Sequence, residues 1–157
     1  MMKKEPKYYW EDFKVGERIA VGSVGVDKDE VIEFASRYDP QSFHVDEEAA
    51  KQSIYGGLIA SGWHSCALIM RLICDSYMLE AASLGSPGVD SVRWPKPVRP
   101  GDTLSAYRTT VESRESRSRP EAGIVKTLWE VENQNGELVM TMSGINLFLR
   151  RNPGAAK

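Results

Sequence analysis

Asp39 and His44 stand five residues apart in the run Tyr38-Asp39-Pro40-Gln41-Ser42-Phe43-His44-Val45-Asp46. A carboxylate and an imidazole so spaced in a loop can hold one water between them by hydrogen bonds. An imidazole titrates near pH 6.5 when unperturbed, so it exchanges protons at neutral pH. About eighteen residues further on, Gly62 opens a long apolar segment that reads as a helix. The first N–H groups of a helix have no intrahelical acceptor and lie at the positive end of its dipole. They suit a developing oxyanion, and losing one such donor costs about 3–4 kcal/mol in known cases. A glycine there also removes the Cβ that would keep a thioester off the backbone. Carboxylate, imidazole and helix N-terminus are together the parts needed to add water to an activated acyl group, or to remove it. Plainer roles compete with each: Asp39 before Pro40 suits a turn, a lone histidine is often structural, and Ser61 is placed to be the helix N-cap.

These residues need a scaffold, and the chain order supplies one. Alternation from Arg18 to Val26 predicts a first strand. Asp27 or Asp29 can cap a short helix through Tyr38, and Pro40 ends it. Asp46 to Gln52 reads as another short helix with acidic residues in its first turn. The long helix is expected over about Ser61–Ala81, apolar nearly all round, with His64, Arg71 and Asp75 on one narrow polar stripe. Such a helix must be wrapped by other structure. Strands predicted at Val89–Trp94, Thr103–Glu112, Ile124–Asn133 and Glu137–Arg150 can do that, and Asn135-Gly136 signals a two-residue hairpin between the last two. One buried helix and several antiparallel strands indicate an α+β fold, a single domain with a curled sheet around the helix.

Composition excludes several classes. The 157 residues suit one domain, with residues 1–11 and 151–157 expected as peripheral tails. A formal charge of −2 gives no reason to expect nucleic acid or an anionic membrane as partner. The N-terminal run lacks the apolar stretch of a secretory signal, and the least charged segment, Ile54 to Met70, is interrupted by His64 and closed by Arg71. Cys66 and Cys74 fall in the long helix roughly 12 Å apart, too far for a bridge, which fits reduced thiols and a cytoplasmic protein. Two histidines and two cysteines without ligand spacing predict no metal.

Asp39-x-Gln41-x-x-His44 resembles the Asp-x-Asn-x-x-His motif of the MaoC-like dehydratases, the (R)-specific enoyl-CoA hydratases. Gly62 falls where that family keeps an active-site glycine, and Trp94-Pro95-Lys96-Pro97-Val98-Arg99-Pro100-Gly101-Asp102 resembles its Phe-x-x-Pro-Val-x-x-Gly-Asp turn. The resemblance covers roughly residues 12 to 150. It implies the hot-dog fold, a curved antiparallel sheet around one long helix, and a homodimer or higher homo-oligomer with the site near the interface. It implies Asp39, His44 and Gly62 as catalytic residues acting on an acyl-CoA substrate, with no cofactor. Gln41, Phe43, Ser61 and Trp63 are the neighbouring candidates for substrate contact, and Arg93, Lys96 and Arg99 beside the turn for the coenzyme A phosphates. Gln41 stands in place of the family's Asn and Ser42 in place of its Pro. A serine that some hydratases carry on the long helix aligns with Met70, which cannot donate a hydrogen bond.

Two further readings stay open on sequence. A hot-dog thioesterase would use Asp39 to direct water at the thioester carbonyl, although hydrolysis needs no second acid aimed at the α-carbon. A non-catalytic acyl-CoA-binding protein would keep the fold alone. His64 is read as a hydrogen-bonded structural histidine with a ligand role as its competitor. Gly56 and Gly57 are read as loop geometry, and Arg114, Arg117 and Arg119 as a solvated hairpin tip.

Overall fold

A computed structural model of the chain describes residues 4–154; of the expected tails, residues 1–3 and 155–157 lie outside the described residues. Five strands form one antiparallel sheet in the order β1-β3-β4-β5-β2: β1 Arg18–Gly25, β2 Ser83–Arg93, β3 Thr103–Glu115, β4 Ala122–Glu132 and β5 Leu138–Leu149. Central β4 turns Val125, Thr127, Trp129 and Val131 inward, as period-2 alternation requires of a strand with one buried face. Four helices lie in the chain between β1 and β2: α1 Lys28–Tyr38, α2 Ser42–Val45, α3 Glu47–Gln52 and α4 Gly62–Ser76. Leu68, Ile69 and Ile73 of α4 pack in one core with Leu104, Val125 and Met140 of the sheet. Each such side chain contributes about 1.5–3 kcal/mol on burial. This is the sheet-around-helix arrangement that the resemblance implies.

The structure corrects four expectations. The long helix stops at Ser76 rather than Ala81, because Tyr77 (φ −155°, ψ −30°) leaves the helical region and a 3₁₀ turn, Met78–Glu80, follows. β2 begins at Ser83, six residues before the expected Val89, because bulged pairing with β5 holds a Gly- and Pro-containing stretch extended. The β4–β5 loop has three residues, Gln134 to Gly136, between the paired Asn133 and Glu137. Gly136 sits at φ 72°, the left-handed position that closes such a loop. Trp10, in the segment expected to be peripheral, is buried, and its ring fills the place where a Cβ on Gly123 of β4 would stand. Glu11 accepts the Arg151 backbone N–H and Asp12 pairs with the Arg151 side chain, so both flanks of the domain are fastened.

Helix α4 is not covered all round. Trp63, Ala67, Met70 and Arg71 are exposed on one side, and His64, expected on the same stripe as Arg71, is buried instead. Edge strand β2 is exposed along nearly its whole length.

Candidate active site

Two helix ends and one turn build the site. Asp27 caps the start of α1 through the Glu30 N–H, and Asp39 is the C-cap at its other end, just before Pro40. The chain then enters α2, which carries His44 one turn later. Ser61 caps α4 and accepts the Trp63 N–H at 3.3 Å. Ala60 donates to the Val98 carbonyl and Ile59 to that of Phe43, so the loop before α4 is held on both sides. The turn after Val98 is fixed in its own right: Asp102 accepts the Arg99 N–H, and Gly101 at φ 90° donates to Val26 at the end of β1.

Asp39 is the hub. Its Oδ1 accepts from Gln41 Nε2 at 2.8 Å, and its Oδ2 accepts from Ser61 Oγ at 2.7 Å. His44 Nε2 lies 3.2 Å from the same Oδ2. The other ring nitrogen, Nδ1, lies 2.8 Å from the Ile59 carbonyl oxygen. A carbonyl only accepts, so Nδ1 carries a proton, and Nε2 is left as the atom at which a proton comes and goes. Burial pushes the Asp39 carboxyl up, but the hydrogen bonds from Ser61 and Gln41 and the neighbouring His44 outweigh it and hold the group below its ordinary value. Asp39 is therefore ionised at neutral pH. Gln41 keeps the bracing role, since its longer side chain still reaches the carboxylate.

These groups open on a cavity of about 470 Å³ lined by Asp39, Gln41, Phe43, His44, Gly62, Trp63 and Lys96 among others. Ser61 acts from behind, through Asp39. Arg93 ends β2 on the exposed surface and is not in the lining. Lys96 is in the lining and also pairs with Glu137. Three contributors escaped sequence reasoning. The Ile59 carbonyl orients His44, and Tyr55 packs edge-on to Phe43 with ring centroids 5.1 Å apart. The third is Trp94, whose indole occupies the space a Cβ on Gly62 would need. It meets Trp63 edge-on, with ring centroids 5.5 Å apart. The missing Cβ at Gly62 thus has a second cause, the close approach of a tryptophan, beside access to the helix N–H. No sequence signal marked Ile59; the extra ring of Trp94, where the family turn has Phe, was visible.

Among the described residues no group of three or more His, Cys, Asp or Glu side chains is placed to hold a metal ion. No helix among them is long and apolar enough to cross a membrane.

Comparison with known proteins places the fold in a family. The crystal structure of a MaoC-like dehydratase from Rhodospirillum rubrum superposes with a TM-score of 0.85 at 39% identity, covering 92% of this chain and 99% of that one. The 3-hydroxyacyl-thioester dehydratase Z of Mycobacterium tuberculosis is 32% identical over 120 residues, 74% of this chain and 80% of that protein. The R-hydratase PhaJ1 of Pseudomonas aeruginosa, at 20% identity, shares the fold with a TM-score of 0.71 over 95% of this chain and 96% of that one. The family described as "MaoC like domain" matches residues 13–133. With its hot-dog fold and this match over most of its length, the chain belongs to the MaoC-like dehydratase family.

Proposed function

We propose that the protein is an acyl-CoA hydratase/dehydratase that adds water reversibly across a 2-enoyl thioester. One observation carries the reading: Asp39 Oδ2 and His44 Nε2 lie 3.2 Å apart at the wall of a cavity that also reaches Gly62 at the head of α4. The Asp39 carboxylate takes a proton from the water whose oxygen bonds to the β-carbon. The electron pair of the C=C bond moves toward the thioester oxygen, where the Gly62 N–H and the positive end of α4 stabilise the charge. A proton held by the dyad then passes to the α-carbon, so the water is consumed whole and no redox partner is required. Phe43 and Trp63 line the cavity for the acyl group, and Lys96 in the same lining offers a cation to the coenzyme A phosphates.

The same reading includes a homodimer. The exposed stripe Trp63, Ala67 and Met70 on α4 and the uncovered β2 edge are apolar surface and unpaired backbone that a second copy would cover. The test uses purified protein and a panel of 2-enoyl-CoAs, with a thiol reagent in parallel and light scattering for mass. Loss of the enoyl absorbance without free thiol, from a particle of twice the chain mass, is the expected result. Thiol release would make the protein a thioesterase instead.

A further inference from the structure

His64 plays no part in the chemistry above, yet it is 2% exposed and, among the described residues, neither ring nitrogen has a hydrogen-bond partner. A buried polar group in that state is unfavourable unless something else requires it. Its surroundings say what does. The ring lies flat on Phe34 of α1, with centroids 4.9 Å apart and planes at 15°. Nε2 points to Glu30 of α1, 3.5 Å from Oε1. Among the described residues no other carboxylate comes within the 4.0 Å ion-pair limit of the ring.

Glu30 and Asp39 lie near opposite ends of α1, about 13 Å apart along its axis. Ser61 and His64 lie three apart at the start of α4, on one face. Helix α1 is therefore tied to the head of α4 at two points: Asp39 to Ser61 at 2.7 Å, and Glu30 to His64 at 3.5 Å. The second point adds the Phe34 ring stacked on His64, next to the buried Val31 and Ala35 that seat α1 in the core.

We infer that His64 is a positioning residue, whose contact with Glu30 and Phe34 locks α1 on α4 and so sets the Asp39 carboxylate against His44 and Ser61. The catalytic consequence rests on the hydratase reading; the structural coupling does not.

The chain has two histidines, so the test can be read without any substrate. Histidine ring NMR spectra are recorded at one fixed pH for the wild type, for E30Q and for H44A, which assigns the two signals. Glu30 is 55% exposed, so E30Q keeps the fold. The expected result is displaced His64 ring resonances in E30Q, together with displaced His44 resonances, because the lock and the dyad share α1. Unchanged His64 resonances would overturn the inference, and so would a His64 change that leaves His44 untouched. If turnover is established, E30Q should lower kcat about tenfold to a hundredfold with KM little changed. Absence of turnover in the wild type would count against the hydratase reading and leave the spectral result standing.

Discussion

The two ends of α4 each hold a titratable side chain beside a cationic or potentially cationic group, and they use it in opposite ways. At the N-terminal end, Asp39 is surrounded by donors from Ser61, Gln41 and His44 and faces an open cavity. At the C-terminal end, Tyr77 is buried, with Phe13 edge-on at 5.9 Å and the Arg108 guanidinium 4.6 Å from its ring centre. Burial pushes the Tyr77 hydroxyl up to about 12, although Arg108 pulls it down. A cation suits the carbonyl end of a helix, as donors and an anion suit the N–H end. The contrast separates working from supporting polar groups. Chemistry needs a charge that is hydrogen-bonded and reachable; the far end has a proton held fast under aromatic rings.

The largest expected effect breaks the working end alone. Asp39→Asn and His44→Ala should each lower hydratase turnover by about 10²–10⁴-fold while the circular-dichroism melt stays cooperative. Near wild-type rates in either variant would remove the dyad assignment. Next, pH should separate the ends by sign. Tyr77 keeps its proton in the fold above its ordinary 10.0, so its contribution is complete below pH 10 and is lost as pH rises toward about 12. That amounts to about 2–3 kcal/mol, seen as a steeper alkaline fall in urea-melt stability for the wild type than for Tyr77→Phe. Asp39 acts in the other direction. Its folded value lies below 3.8, so its contribution is present above that pH and is lost as pH falls through the lower folded value. D39N should flatten the acid limb and leave the alkaline limb as it was.

A smaller effect sharpens the account of Gly62. Gly62→Ala places a methyl where the Trp94 ring lies and should cost about 1–3 kcal/mol by overpacking. Trp94→Ala in the same chain should recover much of that loss in thermal melts. If G62A costs nothing, the glycine is there for the substrate and not for the tryptophan.

Much of this was legible in the sequence because it is local. The caps Asp27 and Ser61, the alternation in β1, and the Asp39/His44 spacing each depend on residues a few positions apart. What was not legible depends on partners far along the chain. Ser83 to Gly88 falls outside the expected strand and is extended because β5 pairs with it. Trp10 reads as part of a tail and is buried only because Gly123 leaves it room. The orientation of His44 comes from a backbone carbonyl, at Ile59, which carries no side-chain signal. His64 reads as a hydrogen-bonded structural residue, but among the described residues neither ring nitrogen is hydrogen-bonded, and Nε2 lies 3.5 Å from the Glu30 carboxylate.

The fastening of Trp10 and Arg151 bears on how the domain can be cut. The family match ends at residue 133 and starts at 13, yet β5 runs to Leu149 and Trp10 lies under β4. A fragment trimmed to the matched residues would lose the strand that joins β4 to the β2 edge, and would open a tryptophan-sized hole beneath Gly123. Glu11 and Asp12 sit within hydrogen-bonding reach of Arg151, so the two flanks of the sheet meet at one place. That nearness marks the spot where a short linker could join them and new termini be opened elsewhere, a circular permutation that leaves the cavity at the head of α4 untouched.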